Sequence, residues 1–133
     1  MKKKIMIVDD EQSVILSVKT GLDDLEAGYE IIGVNSGEEC LDVLKKGEIP
    51  NLILLDIKMD DGGDGIDVFN KLKEKQTWKN IPIVFLVDGE DKFDEFFINN
   101  VLGKPYIEKP FETTYLKRRI DNVLKEGVDC HHS

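Results

Sequence analysis

Five short apolar runs alternate along the chain with stretches whose apolar residues recur every three or four positions, and this alternation constrains the fold more than any other feature. The runs cover residues 5–8, 29–34, 52–55, 83–87 and 106–107, each bounded by an acid, a lysine, a glycine or a proline. Their length and bounds predict five short strands. Between and after them lie Val14, Val18, Leu22 and Leu25; Cys40, Leu41 and Leu44; Val68, Phe69 and Leu72; Phe93, Phe96, Phe97 and Val101; and Leu116, Ile120, Val123 and Leu124. Each set has the spacing of an amphipathic helix that covers a sheet face. Ser36 followed by Glu39 has capping-box spacing and predicts one helix start.

Strict alternation of strand and helix predicts parallel strands joined by right-handed crossovers, an α/β domain of (βα)5 type with a doubly wound, five-stranded parallel sheet. The runs before Asp9 and Asp56 are almost continuously apolar, as expected of central strands covered on both faces. No repeat, linker or second domain is visible, and 133 residues suit one domain. Its expected span is residues 3–125. Residues 126–133 lose the periodicity and read as a frayed tail or a cloning remnant.

Charge narrows the function classes. With 27 acids against 18 bases, the formal charge is −9, which repels phosphate backbones and anionic lipid. Direct nucleic-acid binding and membrane association are therefore not expected. No stretch approaches the roughly 18–20 apolar residues of a membrane span. The N-terminal lysines are followed by only a short apolar run ending at Asp9, so secretion is not supported. Cys40 and Cys130 form no disulfide framework, and a cytoplasmic location is the expectation.

In open parallel sheets, ligands bind beyond the carboxyl ends of the strands. The polar residues expected there are Asp9 and Asp10 after the first strand, Asp56 after the third, Asp88 beside Val87 after the fourth, and Lys109 after the fifth. Three carboxylates in one crevice raise one another's pKa unless a cation sits among them. Hard oxygen donors favour Mg²⁺, which keeps several waters and uses few carboxylates. The chemistry suggested is phosphoryl transfer to a carboxylate, since an Asp nucleophile needs its own charge and the donor's charge offset.

Asp9-Asp10-Glu11, Asp56 with Met59 three residues on, Asp64-Gly65, Ile81-Pro82-Ile83 and Tyr106-Ile107-Glu108-Lys109-Pro110-Phe111 together resemble the receiver domain of two-component response regulators. The resemblance covers about residues 3–125. It implies a flavodoxin-like, CheY-like strand order of 2-1-3-4-5. Asp56 would be the phosphoacceptor, taking a phosphoryl group from a sensor histidine kinase or a histidine phosphotransfer protein. Asp9, Asp10, Asp56 and the backbone carbonyl of Lys58 would hold Mg²⁺ (or Mn²⁺). Lys109 would pair with the phosphoryl oxygens, and the Lys109–Pro110 bond would be cis. Such a domain assists its own phosphorylation without being a turnover enzyme, and it signals to a downstream effector protein or a fused output domain. Stand-alone and fragment readings both stay open, as does homodimerisation.

Several residues depart from the family pattern. Val87 stands where receivers usually carry Thr or Ser, so the hydroxyl that links phosphate to the fourth helix is missing. Tyr106 occupies the switch-aromatic position, and its coupling to the site loses its usual partner. Asp88 is expected to N-cap the helix that follows it. Asp60 replaces a common proline, and Asp64-Gly65 comes one residue late, implying an insertion within residues 60–63, where Asp60 and Asp61 read as solvated turn residues. Lys58 is placed to reach over the site entrance or to be solvated. Cys130-His131-His132 offers a weak metal-binding alternative to a terminal remnant. The competing functional reading is a degenerate receiver that docks partners regardless of phosphate because of Val87. A phosphatase of haloacid-dehalogenase type would need an acid where Lys58 stands, and a flavin-binding loop would need Ser or Thr where Asp9-Asp10-Glu11 stands.

Overall fold

The computed structural model describes residues 2–59 and 65–126. In chain order the elements are β1 (Lys3–Val8), α1 (Gln12–Asp24), β2 (Tyr29–Val34), α2 (Gly37–Lys45), β3 (Leu52–Asp56), α3 (Gly65–Glu74), β4 (Ile83–Asp88), α4 (Lys92–Phe96), β5 (Tyr106–Lys109) and α5 (Thr113–Glu126). A π-helical segment, Phe97–Leu102, continues α4. The strands form one parallel sheet in the order β2-β1-β3-β4-β5. The predicted doubly wound architecture and strand order are therefore found.

Side chains that alternate along each central strand divide between two cores. Met6, Val8, Ile53, Leu55, Phe85 and Val87 pack beneath α2, α3 and the α4 segment, against Cys40, Leu44, Val68, Leu72 and Ile98. Ile5, Ile7, Leu52, Leu54, Val84 and Leu86 pack on the opposite face beneath α1 and α5, against Val18, Leu22, Leu116 and Ile120. Both faces of β1, β3 and β4 are covered, which explains their nearly unbroken apolar sequence. The strand ends are thereby held in a rigid frame.

Strand ends reach further than the apolar runs. β5 extends through Glu108 to Lys109, because the backbone pairing of Val87 with Glu108 and of Asp88 with Lys109 does not require apolar side chains. Ser36 caps α2, its Oγ accepting from Glu39 N at 3.1 Å. The Glu39 carboxylate accepts instead from Asn35 N at 2.6 Å, one residue earlier than a strict capping box.

The fourth helix corrects one expectation. Phe93, Phe96 and Val101, read as a sheet-facing stripe, are 74%, 61% and 61% exposed, whereas Glu95 and Ile98 are buried. Periodicity shows that residues share a face and not which way it points. The π-helical segment also re-phases the stripe beyond Phe97, turning Ile98 toward the sheet.

Among the described residues, no helix is long and apolar enough to cross a membrane. The tail from residue 127, with Cys130-His131-His132, and the loop that contains Asp60, Asp61 and Asp64 lie outside the described residues.

A candidate phosphoryl and cation site at the strand ends

β1, β3 and β5 end at the same edge of the sheet, β3 next to β1 and β4 between β3 and β5, and together they deliver the site. Asp9 follows β1 directly and is fully buried, its N–H donating to Val34 O at 3.1 Å. Its Oδ1 accepts from Glu11 N at 2.9 Å, a local turn that fixes the carboxylate. Asp56 is the last residue of β3 and is also buried. Its Oδ1 accepts a long hydrogen bond from Lys58 N at 3.4 Å. Lys109, the last residue of β5, places its Nζ 2.7 Å from Asp9 Oδ2, 3.3 Å from Asp56 Oδ2 and 3.8 Å from Glu11 Oε1. The Lys109–Pro110 bond is cis. The open cavity over this group has a volume of about 530 Å³, and Ser13, Ser17, Lys58 and Phe111 are among its walls.

Asp9, Asp10 and Asp56 each bring one carboxylate oxygen within 4.8 Å of the others. Asp9 Oδ2 is buried and has no well-directed hydrogen bond, although the Lys109 ammonium is close. A buried lone pair of that kind, in a set made wholly of hard oxygens, fits a small divalent cation such as Mg²⁺. Gly65, at the start of α3, supports the same corner. Its N–H donates to Ile57 O at 2.9 Å, bringing the helix start against the chain that carries Asp56.

Burial pushes the Asp56 carboxyl up to about 7, the charge of Asp9 adds to the shift, and Lys109 opposes it. Burial works against the Lys109 charge, but its close contact with the Asp9 carboxylate and the charges of Asp56 and Asp9 outweigh that, leaving it above its ordinary value. The Asp56 shift has a stability consequence. A carboxyl raised from 3.8 to about 7 binds its proton more tightly in the folded state, so stability falls as pH rises across that interval. In divalent-free buffer, Asp56→Asn is expected to stabilise the domain by about 2 kcal/mol at roughly pH 8, less than the whole shift because water reaches the cavity. The gain should vanish near pH 4. Urea unfolding with EDTA at the two pH values checks this, and an equal effect at both would contradict it.

Val87 is fully buried in the core beside Phe85 and Ile98. Tyr106 is half-buried, its hydroxyl donating to Glu95 Oε1 at 3.5 Å and its carbonyl accepting from Arg119 at 3.0 Å. Asp88 does not cap α4: its Oδ1 accepts from Glu90 N at 3.0 Å within the turn. Asp91 is the cap, its Oδ1 accepting from Asp94 N at 3.1 Å. Asp88 lies too early because the chain makes a further turn before entering the helix, its carbonyl accepting from Asp91 N at 2.9 Å. The Lys58 ammonium pairs with Asp91 and lies 3.5 Å from Asp94 Oδ2. Sequence reasoning missed Asp91 and Asp94 as its partners, although their three-residue spacing before an amphipathic stretch is itself a capping signal.

The fold and the acidic crevice define a parallel α/β domain with a charged site at its strand ends. Residues 5–121 match the family model described as "Response regulator receiver domain", and the chain belongs to that family. It is 32% identical over 129 residues to the alkaline phosphatase synthesis transcriptional regulatory protein PhoP of Bacillus subtilis, covering 96% of this chain and 50% of PhoP. It is 35% identical over 124 residues to the probable transcriptional regulator ycf27 of Porphyridium aerugineum, covering 93% and 49%. It thus spans about half the length of the curated relatives it matches. The crystal structure of a CheY-like response regulator receiver domain protein from Methanospirillum hungatei superposes with a TM-score of 0.78 at 27% identity, covering 95% of this chain and 96% of that one.

Proposed function

We propose that the domain is a phosphorylatable signalling switch that accepts a phosphoryl group on Asp56 from a phosphohistidine of a sensor histidine kinase or phosphotransfer protein. The observation that carries this reading is the placement of Lys109 between Asp9 and Asp56 in a crevice open to solvent. In the transfer, an Asp56 oxygen bonds to phosphorus as the phosphorus–nitrogen bond breaks, and the histidine nitrogen keeps the electron pair. Lys109 pairs with the phosphoryl oxygens and offsets their charge. Asp9, Asp10, Asp56 and the Lys58 carbonyl would hold Mg²⁺ (or Mn²⁺), which when bound supplies further charge compensation. Family relatives named as transcriptional regulators support an effector or fused output domain as the downstream partner. No substrate turnover is part of the reading, and neither is direct nucleic-acid contact by this domain.

Incubation with acetyl phosphate and Mg²⁺ is expected to give one phosphoryl adduct on the intact protein, resolved by mass spectrometry. It should be absent in Asp56→Asn and in the presence of EDTA. An adduct that survives Asp56→Asn would overturn the assignment. One observation favours a second reading. Val87 is fully buried and carries no hydroxyl, which suits a degenerate receiver that binds its partner regardless of phosphate. Equal partner affinity with and without beryllofluoride would favour it.

A further inference from the structure

One side chain joins the acidic crevice to α4. Lys58 lies two residues beyond Asp56, its backbone N–H faces Asp56 Oδ1, and the residue lines the same cavity. Its ammonium nevertheless turns outward to Asp91 and Asp94. The two Asp91 oxygens divide their work: Oδ1 caps the helix by accepting from Asp94 N, and Oδ2 accepts from Lys58. That hydrogen bond holds the Asp91 carboxyl below the usual carboxylate range. Asp94 Oδ2 is buried without a hydrogen bond, and Lys58 supplies it with cationic charge. The helix so anchored is only five residues long, runs into a π-helical segment and carries Phe93 and Phe96 on its exposed side. Val87, at the end of β4, offers no hydroxyl through which the crevice could act on that helix.

We infer that Lys58 is a two-position tether: with Asp56 unmodified it holds the Asp91–Asp94 cap of α4, and an anion on Asp56 draws it into the crevice and releases the cap. This rests on Asp56 being the phosphoacceptor. A phosphoryl group brings extra negative charge and three acceptor oxygens to Asp56, and a flexible lysine stem serves either partner. The existing pair is easily exchanged, since the Lys58 side chain is 65% exposed and water screens it. Once Lys58 leaves, Asp91 and Asp94 lose its charge while remaining close together at the cap. Repulsion between them loosens the first turn and resets the exposed phenylalanines. The crevice thereby acts on the helix through differential attraction for one ammonium.

Amide NMR of the whole chain, titrated with beryllofluoride and Mg²⁺, tests this. In the wild type, amides of Asp56 to Lys58 and of Lys109 should shift, and those of Asp91 to Phe96 should shift with them. The Asp91→Asn, Asp94→Asn double variant keeps an N-cap side chain but removes both anionic holds. Its α4 amides should be displaced at the outset and lose their response to the fluoride complex, while the crevice amides still shift. Lys58→Met should also lose the α4 response. An α4 response that persists in both variants would overturn the tether and leave the phosphoacceptor reading standing. No response of the crevice amides in the wild type would take both down.

Discussion

Lys109→Met is expected to lower stability by about 2 kcal/mol near neutral pH in divalent-free buffer and to slow phosphoryl transfer to Asp56 by about a hundredfold. The ammonium contacts the buried Asp9 carboxylate at 2.7 Å and the Asp56 carboxylate at 3.3 Å, so its removal leaves two neighbouring carboxylates without a counter-charge. Losing one partner of a wholly buried pair costs more, about 3–5 kcal/mol. Here the cost is smaller, because Asp56, already pushed up to about 7, responds by keeping its proton. The deficit should accordingly shrink as pH falls toward about 5, and combining the substitution with Asp56→Asn should recover more than half of it. Urea unfolding of the single and double variants measures the first effect. The rate of adduct formation from acetyl phosphate at saturating Mg²⁺ measures the second. A variant as stable and as fast as the parent would mean that Lys109 does not carry the charge balance of the crevice.

Gly65→Ala should be comparably damaging for a steric reason, lowering stability by about 3 kcal/mol and displacing the chain between Asp56 and Lys58. A methyl group at Gly65 would lie 2.8 Å from Ile57 Cα and 3.1 Å from the Asp56 carbonyl carbon, and closer still to the Asp56 carbonyl oxygen. These atoms are backbone of the central strand end, held by pairing with β4, and cannot turn aside as a side chain would. Gly28 provides the contrast. It has open space around it but a φ of +78°, so Gly28→Ala is expected to cost only about 1 kcal/mol, through backbone strain, with no effect on the crevice. Urea unfolding of both variants, with the Lys58 amide shift as a local reporter, separates the two mechanisms.

These expectations show where sequence was informative. The strands could be recognised because a central parallel strand is buried on both faces and must be apolar throughout, as in residues 5–8 and 52–55. Four of the five helices could be oriented as well as located, since Val18 and Leu22, Cys40 and Leu44, Val68 and Leu72, and Leu116 and Ile120 all face the sheet. The fourth could only be located. Its phenylalanines outnumber its inward residues, and the buried Glu95 is kept by Lys92 and Tyr106, partners that periodicity does not reveal.

For the site, parallel alternation alone dictated that Asp9, Asp56 and Lys109 stand at one edge of the sheet, because every strand of such a sheet ends on the same side. Their close convergence followed from strand order, which sets β3 beside β1 and β4 between β3 and β5. What alternation could not supply were interactions made by side chains that leave their own element. Lys58 was visible as a lysine near an acid, but its pairing with Asp91 and Asp94 spans 33 and 36 positions and depends on where α4 begins. The glycine at 65 could be matched to a motif, yet the reason only glycine fits is the approach of α3 to the backbone of β3. Local patterns thus determined the elements and the chemistry at their ends, because periodicity and strand direction are properties of neighbouring residues. Tertiary structure alone decided charge pairing and close approach, because both depend on distances between residues far apart in the chain.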